Sequence, residues 1–183
     1  QPVAPVDEAT LQSALRRLVD AGLLYQRGQP PESRYVFKHA LIQDAAYESL
    51  LKTTRQQYHR QIAVALEMRR EQAASTPPEL LAHHYTEAGL IEQAVPQWQS
   101  AGEQAVQRSA NVEAVSHFTR GLELLRMVPD TPERARRELA LQVALGVPLR
   151  AAKGFADPEV GRAYARARAL CPEGETVTLF SIL

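Results

Sequence analysis

The fold of this chain is decided by residues 98–121, which read WQSAGEQAVQRSANVEAVSHFTRG. The pattern places small residues where two neighbouring helices would touch, and large residues where they would fill the space between helix pairs. The residues expected to carry this packing are Tyr85, Ala94, Trp98, Ala101, Gly102, Ala114, Phe118 and Gly121. The sequence therefore predicts helical hairpins packed in series, with Trp98 buried.

Two further registers of the same kind extend the pattern in both directions. One begins at Leu81 and shares the helix of Trp98, and a degenerate one combines Leu145 and Gly146 with Val160, Tyr164 and Ala167. The spacing resembles that of the tetratricopeptide repeat. It predicts a mainly α fold, an irregular tetratricopeptide-like α-solenoid. The alternative is a plain helical bundle that matches the pattern by chance.

Composition limits the function classes. The 183 residues include 21 Lys+Arg and 21 Asp+Glu, so the formal net charge is zero, which excludes a strongly cationic nucleic-acid binder. Hydrophobic residues make up 45% of the chain, as in a folded domain.

A single cysteine, Cys171, excludes an internal disulfide and favours a reducing, cytoplasmic location. No apolar run approaches the about 20 residues that span a bilayer, and we expect no membrane partner. The chain begins without Met, and we expect it to be a piece of a longer protein.

The remaining elements follow from periodicity and turn signals. Asp7 caps a first helix with an apolar stripe that we expect to be buried, and Gly22 ends it. The stripe of this helix consists of Leu11, Ala14, Leu15 and Leu18. The helix is followed by a β-hairpin, whose strands of residues 23–26 and 34–37 are joined by a turn-rich loop. Helices are predicted over residues 39–53, 54–72, 78–88, 91–108, 111–127, 132–152 and 158–170. Thr76, Thr131 and Asp157, each followed by proline, are predicted caps.

Two stretches carry a family resemblance: residues 35–51, YVFKHALIQDAAYESLL, and residues 79–89, ELLAHHYTEAG. They are similar to segments of large bacterial signalling proteins. In these, an AAA-like (STAND-type) ATPase, often fused to a class III adenylate/guanylate cyclase, is followed by a winged helix and tetratricopeptide-like repeats. LuxR-type regulators have related architectures.

The resemblance implies two parts of this chain: residues 1–53 as the end of a partial winged helix, and residues 54–183 as the repeat region. It also implies a non-catalytic, regulatory, protein-binding segment. Such a segment would couple the binding of a partner or inducer, or of the protein's own upstream domains, to the ATPase or cyclase. No G-x-x-x-x-G-K-[ST] motif is present, because none of the three lysines, Lys38, Lys52 and Lys153, follows a glycine. We therefore expect no catalytic residue and no cofactor in this segment.

Two groups of arginines are candidate contact residues. Residues 133–138, ERARRE, are most simply a solvated helix face. The alternative is a concave groove that holds an acidic partner segment, with candidate residues Arg134, Arg137, Arg162 and Arg166. Arg16, Arg17 and Arg27 lie on the expected recognition helix and wing, which gives a second possible function, a DNA-binding transcriptional regulator. Against it, residues 1–74 carry 10 basic and 8 acidic side chains, a small surplus.

The five histidines do not by themselves indicate a metal site. His83 and His84 are adjacent, so on a helix they point about 100° apart, and a metal ion would need a third ligand from another helix. Cys171 is far along the chain. The sequence therefore predicts no metal ligand, and histidines that lie at helix interfaces or on the surface.

Overall fold

The computed structural model describes residues 7–29, 33–71 and 76–171. The described part is mainly helical, with one small antiparallel sheet of two strands. The elements in chain order are α1 (Glu8–Asp20), β1 (Leu24–Arg27), β2 (Arg34–Phe37), α2 (Ala40–Glu48), α3 (Lys52–Glu71), α4 (Pro78–Glu87), α5 (Ile91–Gln107), α6 (Asn111–Leu125), α7 (Pro132–Lys153) and α8 (Pro158–Leu170). Among the described residues, no helix combines the length and apolarity needed to cross a lipid bilayer.

The first helix is formed as the sequence predicts, but its apolar stripe is not buried. The Asp7 carboxylate accepts a hydrogen bond from the backbone N–H of Thr10 at 3.0 Å. Hydrogen bonding to the Thr10 side chain and to this backbone N–H lowers the pKa of Asp7. Gly22 follows the helix with φ +74°, a value that favours glycine. No residue of α1 is buried, and Leu18 is 39% exposed. The expectation of a buried stripe is wrong, because α1 packs mainly on the small strand β1.

The hairpin forms between the predicted strands, with its first strand one residue later than expected. Leu24 pairs with Phe37 and Arg27 with Arg34. Leu24 is buried, whereas Tyr25 and Val36 are about half exposed. The predicted connecting loop lies partly outside the described residues.

Helices α4–α8 form the main hydrophobic core, and each packs on the next helix in the chain. The turns after α4 and α5 are only about three residues long, so the helices they join run antiparallel. Gly89 and Ser109 occupy the same place in these two turns, with φ +73° and +59°. The core therefore repeats one local geometry along the chain.

Close helix approach depends on glycines. A Cβ at Gly102 would lie 2.5 Å from the Phe118 ring, and one at Gly146 would lie 2.3 Å from the Tyr164 ring. At Gly121 it would lie 3.1 Å from Leu141. Real Cβ atoms essentially never come as close as those at Gly102 and Gly146 would, and the distance at Gly121 is tighter than nearly all real Cβ contacts. A side chain at any of the three positions would therefore require a neighbour to move, least at Gly121.

Two of the three predicted caps form. Thr131 and Asp157 accept hydrogen bonds from the backbone N–H groups of Arg134 and Glu159. Thr76 does not cap α4, which is a correction. Its hydroxyl instead donates to the carbonyl of Leu66, and α4 begins at Pro78 after Pro77. Two consecutive prolines set the helix start here, since proline suits the first helical turn.

Candidate functional site

The first candidate site is a groove between α6, α7 and α8, called here the arginine groove, with a volume of about 480 Å³. Apolar residues such as Leu122, Leu145 and Leu149 form part of its lining. Its charged lining residues are Glu123, Arg126, Arg134, Glu138, Glu159, Arg162 and Arg166. Four arginines against three glutamates give the groove a positive surplus.

Glu138 is the centre of the ion pairs in this groove. It is buried, and Arg166 forms a two-pronged contact with its carboxylate, with Nε and Nη2 at 2.6 and 3.0 Å. Arg134 Nη2 lies 3.5 Å from the same carboxylate. The hydrogen bond from Arg166 lowers the pKa of Glu138, and Glu138 raises the pKa of Arg166. The glutamate is therefore charged at neutral pH and holds α8 on α7.

Some of the arginines that line the groove have no acidic partner there. The lining residue Glu159 does not supply one, because it pairs with Lys153 at 2.7 Å. Arg126 and Arg162 are exposed, and neither has an acidic group within 4.0 Å in the described part of the chain. Arg134 Nε is a buried donor without a hydrogen-bond partner among the described residues. These groups could pair with an anionic group that enters the groove.

The structure brings Arg134, Arg162 and Arg166 together and leaves Arg137 out. Arg137 is exposed and does not line the groove. The expectation of a solvated face over residues 133–138 is wrong at Arg134 and Glu138, whose side chains are only 16% and 12% exposed. Sequence reasoning also missed Arg126 at the end of α6. For Glu138 the sequence did contain a signal. Its spacing from Leu141, Gln142 and Leu145 places Glu138 on the buried stripe of α7.

The second candidate site is a cluster of His59, His83 and His84, called here the histidine cluster. His59 lies on α3 and the other two on α4. Each residue offers one ring nitrogen, and these three atoms lie within 4.8 Å of one another. The ring centroids are 5.0–5.6 Å apart, and the two Nδ1 atoms of His59 and His84 are 2.9 Å apart. His59 on α3 thus provides the candidate third ligand from another helix that His83 and His84 lack on their own.

A hydrogen-bond chain orients His59. Its Nε2 lies 3.1 Å from the Tyr47 hydroxyl, which in turn lies 3.4 Å from a carboxylate oxygen of Glu87. Because the hydroxyl donates its one proton to the carboxylate, it accepts from Nε2–H of His59. This leaves Nδ1 of His59 as an unprotonated nitrogen that faces His84.

Burial also favours the neutral forms of His59 and His84. His59 is 8% exposed, and burial lowers its pKa. Burial and the neighbouring His59 and His83 rings lower the pKa of His84 to about 4. Burial also raises the pKa of Tyr47. A cavity of about 610 Å³ adjoins the cluster, lined by His59, His83, Tyr47 and Glu87 among others.

The remaining sequence-derived candidates are placed as follows. All eight expected packing residues are buried. Trp98 donates to the Thr86 hydroxyl at 3.0 Å and stacks on His117, with ring centroids 5.4 Å apart. Burial lowers the pKa of His117. Arg16, Arg17 and Arg27 are exposed on α1 and β1.

Comparison with known proteins finds a similarity that names no function. The chain is 31% identical over 157 residues to an uncharacterized protein of Rhizobium meliloti (strain 1021). The match covers 86% of this chain but 15% of that relative, so the chain spans a small part of the relative's length. No protein-family model matches the chain. No solved structure matches it.

Proposed function

We propose that this chain is a non-catalytic regulatory segment of a larger bacterial signalling protein, and that its arginine groove binds an acidic segment of a partner protein. The observation that carries the proposal is the groove itself, a concave surface with the unpaired arginines Arg126 and Arg162. Arginine is suited to this task because its planar guanidinium binds carboxylates with two parallel hydrogen bonds.

Fixed charges make the groove suitable for an acidic ligand. Glu138 already holds Arg166 and contacts Arg134, so these two arginines shape the wall of the groove. Arg126 and Arg162 remain to bind carboxylates of the partner. The apolar residues Leu122, Leu145 and Leu149 offer contact to the partner's aliphatic side chains. A short peptide with acidic and apolar residues fits this lining best.

The proposed architecture is an irregular tetratricopeptide-like solenoid formed by α4–α8. The serial packing of these helices and the glycine contacts at Gly102, Gly121 and Gly146 support it. The proposal includes a winged-helix remnant over residues 1–53, which would pass the state of the repeats to an upstream ATPase or nucleotide cyclase. The small share of the Rhizobium relative that the chain covers agrees with a segment of a larger protein.

The experiment is a selection of random 12-residue peptides on the immobilised chain, followed by affinity measurement for the selected sequences. We expect Asp and Glu to be enriched. The double variant Arg126→Glu/Arg162→Glu should weaken binding by about tenfold or more, because it replaces attraction with repulsion at the groove. Circular dichroism of each variant checks that the helices are retained.

Arg137→Glu is the matched control, because Arg137 lies on the same helix as Arg134 but outside the groove. It has the charge change of either groove substitution alone, Arg126→Glu or Arg162→Glu, with which it is compared, and should leave the affinity within about twofold, as for an exposed charge that contacts no ligand. Selected peptides without acidic residues, or an equal loss of affinity in Arg137→Glu, would contradict the proposal.

A further inference from the structure

We propose that His59, His83 and His84 bind a divalent transition-metal ion, with Zn²⁺ the best fit, at the junction of α3 and α4. The proposal is independent of the arginine groove, which lies on α6–α8. Imidazole nitrogen is a preferred ligand of Zn²⁺, and three histidines are a known complete set of protein ligands for it.

The distances support this assignment. Two nitrogens bound to one tetrahedral Zn²⁺ at about 2.0–2.1 Å lie about 3.3 Å apart. The Nδ1 atoms of His59 and His84 are 2.9 Å apart, and all three candidate ligand atoms lie within 4.8 Å of one another. To bind one ion, the two Nδ1 atoms would separate by a few tenths of an ångström, and the third nitrogen would approach by at most about 1.5 Å.

The packing of α3 on α4 supplies the third histidine that an ion at His83 and His84 would need. These two side chains diverge around α4, so they do not form a metal site from a single helix face. His59 comes from α3 and lies against both of them, with ring centroids at 5.6 and 5.0 Å. The three rings surround a common point between the helices, where a bound ion would link α3 to α4.

The tautomers of His59 and His84 are compatible with a cation bound between their Nδ1 atoms. Since Tyr47 fixes the proton of His59 on Nε2, the Nδ1 atoms of His59 and His84 share one proton between them. A metal ion can take the place of this proton once the proton of His84 moves to its own Nε2. No charged ligand has to be created, because both rings are neutral imidazoles before and after binding.

Groups around the histidines match those that support metal ligands elsewhere. Histidine ligands usually use their other nitrogen to bind an oxygen that fixes the ring, and His59 does so through Tyr47 and Glu87. His83 is exposed and borders the cavity of about 610 Å³. The cavity leaves the fourth position accessible to water or to the carboxylate of Glu87.

Metal binding by the 183-residue chain is measured by titration with Zn²⁺ in a calorimeter and with Co²⁺, whose visible absorption reports tetrahedral nitrogen ligands. We expect one ion per chain with a dissociation constant in the micromolar range or below. At a free Zn²⁺ concentration of 100 times this constant, the melting temperature should rise by about 5–10 °C. Absence of Zn²⁺ binding at 100 times the protein concentration would overturn the proposal.

The decisive variant is His83→Gln, because His83 is exposed and its replacement leaves the α3–α4 interface in place. It should weaken Zn²⁺ binding by about 100-fold and reduce the thermal shift at the same Zn²⁺ concentration to about 1–2 °C. His39→Gln is the matched control, since His39 is also exposed but precedes α2, outside the cluster. Retention of wild-type affinity in His83→Gln, or an equal loss in His39→Gln, would refute the site.

Discussion

The N-terminal part of the molecule, α1 to α2, and the body formed by α4–α8 contain similar helices but differ in burial. In residues 7–29 and 33–48, Leu24 is the one buried side chain, and apolar residues such as Leu41 and Val36 are 81% and 51% exposed. In the body, Phe118, Leu81 and Leu141 are at most 1% exposed. Among the described residues, the hydrophobic core consists of side chains of the body together with Ala63 of α3.

The difference shows that an amphipathic helix is buried only where a neighbour can approach it. Helix α1 has the apolar spacing of a packed helix, but it contacts mainly a short strand. Helices α5 and α6 bring Gly102 and Gly121 to their contacts, where the absence of a Cβ lets backbones and rings meet. The stability of the described structure is therefore expected to lie in the body.

The largest expected effect tests this difference directly, with one truncation in each part. Phe118→Ala should destabilise the protein by about 3–5 kcal/mol, because it leaves a cavity beside Gly102 that the helices cannot fill. Leu18→Ala removes a side chain that is 39% exposed and should cost less than about 1 kcal/mol. Urea unfolding followed by the fluorescence of Trp98, the single tryptophan, measures both. Equal losses in the two variants would contradict an energetic division between the two parts.

The second prediction tests close approach in the last helix pair. Gly146→Leu forces a side chain into the space of the Tyr164 ring and should cost about 1–3 kcal/mol through overpacking. Gly161→Leu is the matched control on α8, because a Cβ there meets nothing within 4 Å. It should be neutral or stabilise the helix by up to about 1 kcal/mol, since leucine favours a helix over glycine. The idea of a glycine-dependent interface fails if both variants melt at the same temperature.

Local patterns were sufficient to predict much of this fold. The order of the helices, the hairpin and the caps at Thr131 and Asp157 follow from residues close in sequence. Thr76 failed as a cap because two prolines after it move the start of α4 to Pro78. Whether α4–α8 form a tetratricopeptide-like solenoid stays a prediction, as does the winged-helix interpretation of residues 1–53.

The candidate sites depend on distances that no local pattern contains. His59 and His84 are 25 residues apart, and they meet because of the way α3 packs on α4. The one signal in the sequence is that His59, Ala63 and Leu66 share a face at helical spacing, which turns His59 toward its neighbour helix. Glu138 was misjudged because a charged residue is expected in solvent, whereas Arg166, 28 residues later, compensates its charge at the α7–α8 contact.

The third prediction concerns the ion pair of Glu138 and Arg166, which should make the stability of the body depend on pH. The pKa of Glu138 in the folded state is below its ordinary value of 4.5. Its stabilisation is therefore fully present above about pH 4.5 and is lost as the pH falls through the folded-state pKa. Glu138→Gln should cost about 1 kcal/mol at pH 7, a modest value because Arg166 is half exposed, and its cost should shrink as the pH falls below about 4.5.

Urea unfolding at pH 7, 5, 4 and 3 measures this dependence. Glu113→Gln is its control, because Glu113 forms an exposed pair with Arg108 at 3.8 Å. The control should follow the wild-type curve at every pH, since a solvated pair contributes little. A Glu138→Gln curve parallel to the wild type from pH 7 to pH 3 would show that the ion pair does not stabilise the α7–α8 contact.

The smallest expected effects concern one turn that occurs in both parts. After α1, α4 and α5 the chain makes the same three backbone hydrogen bonds, and the turn residue has positive φ: Gly22, Gly89 and Ser109. Only Ser109 has a Cβ, which strains this conformation by about 1 kcal/mol. Ser109→Gly should therefore stabilise the protein by about that amount, and Gly89→Ser should destabilise it similarly.

Gly22→Ser introduces the same strain after α1 and completes the series. If the stability lies in α4–α8, this variant should open α1 locally, with faster amide hydrogen exchange there, and leave the urea midpoint unchanged. Gly89→Ser should instead lower the midpoint, because its turn joins two helices of the core. A lowered midpoint in Gly22→Ser would mean that the N-terminal part unfolds together with the body, despite its exposed apolar side chains.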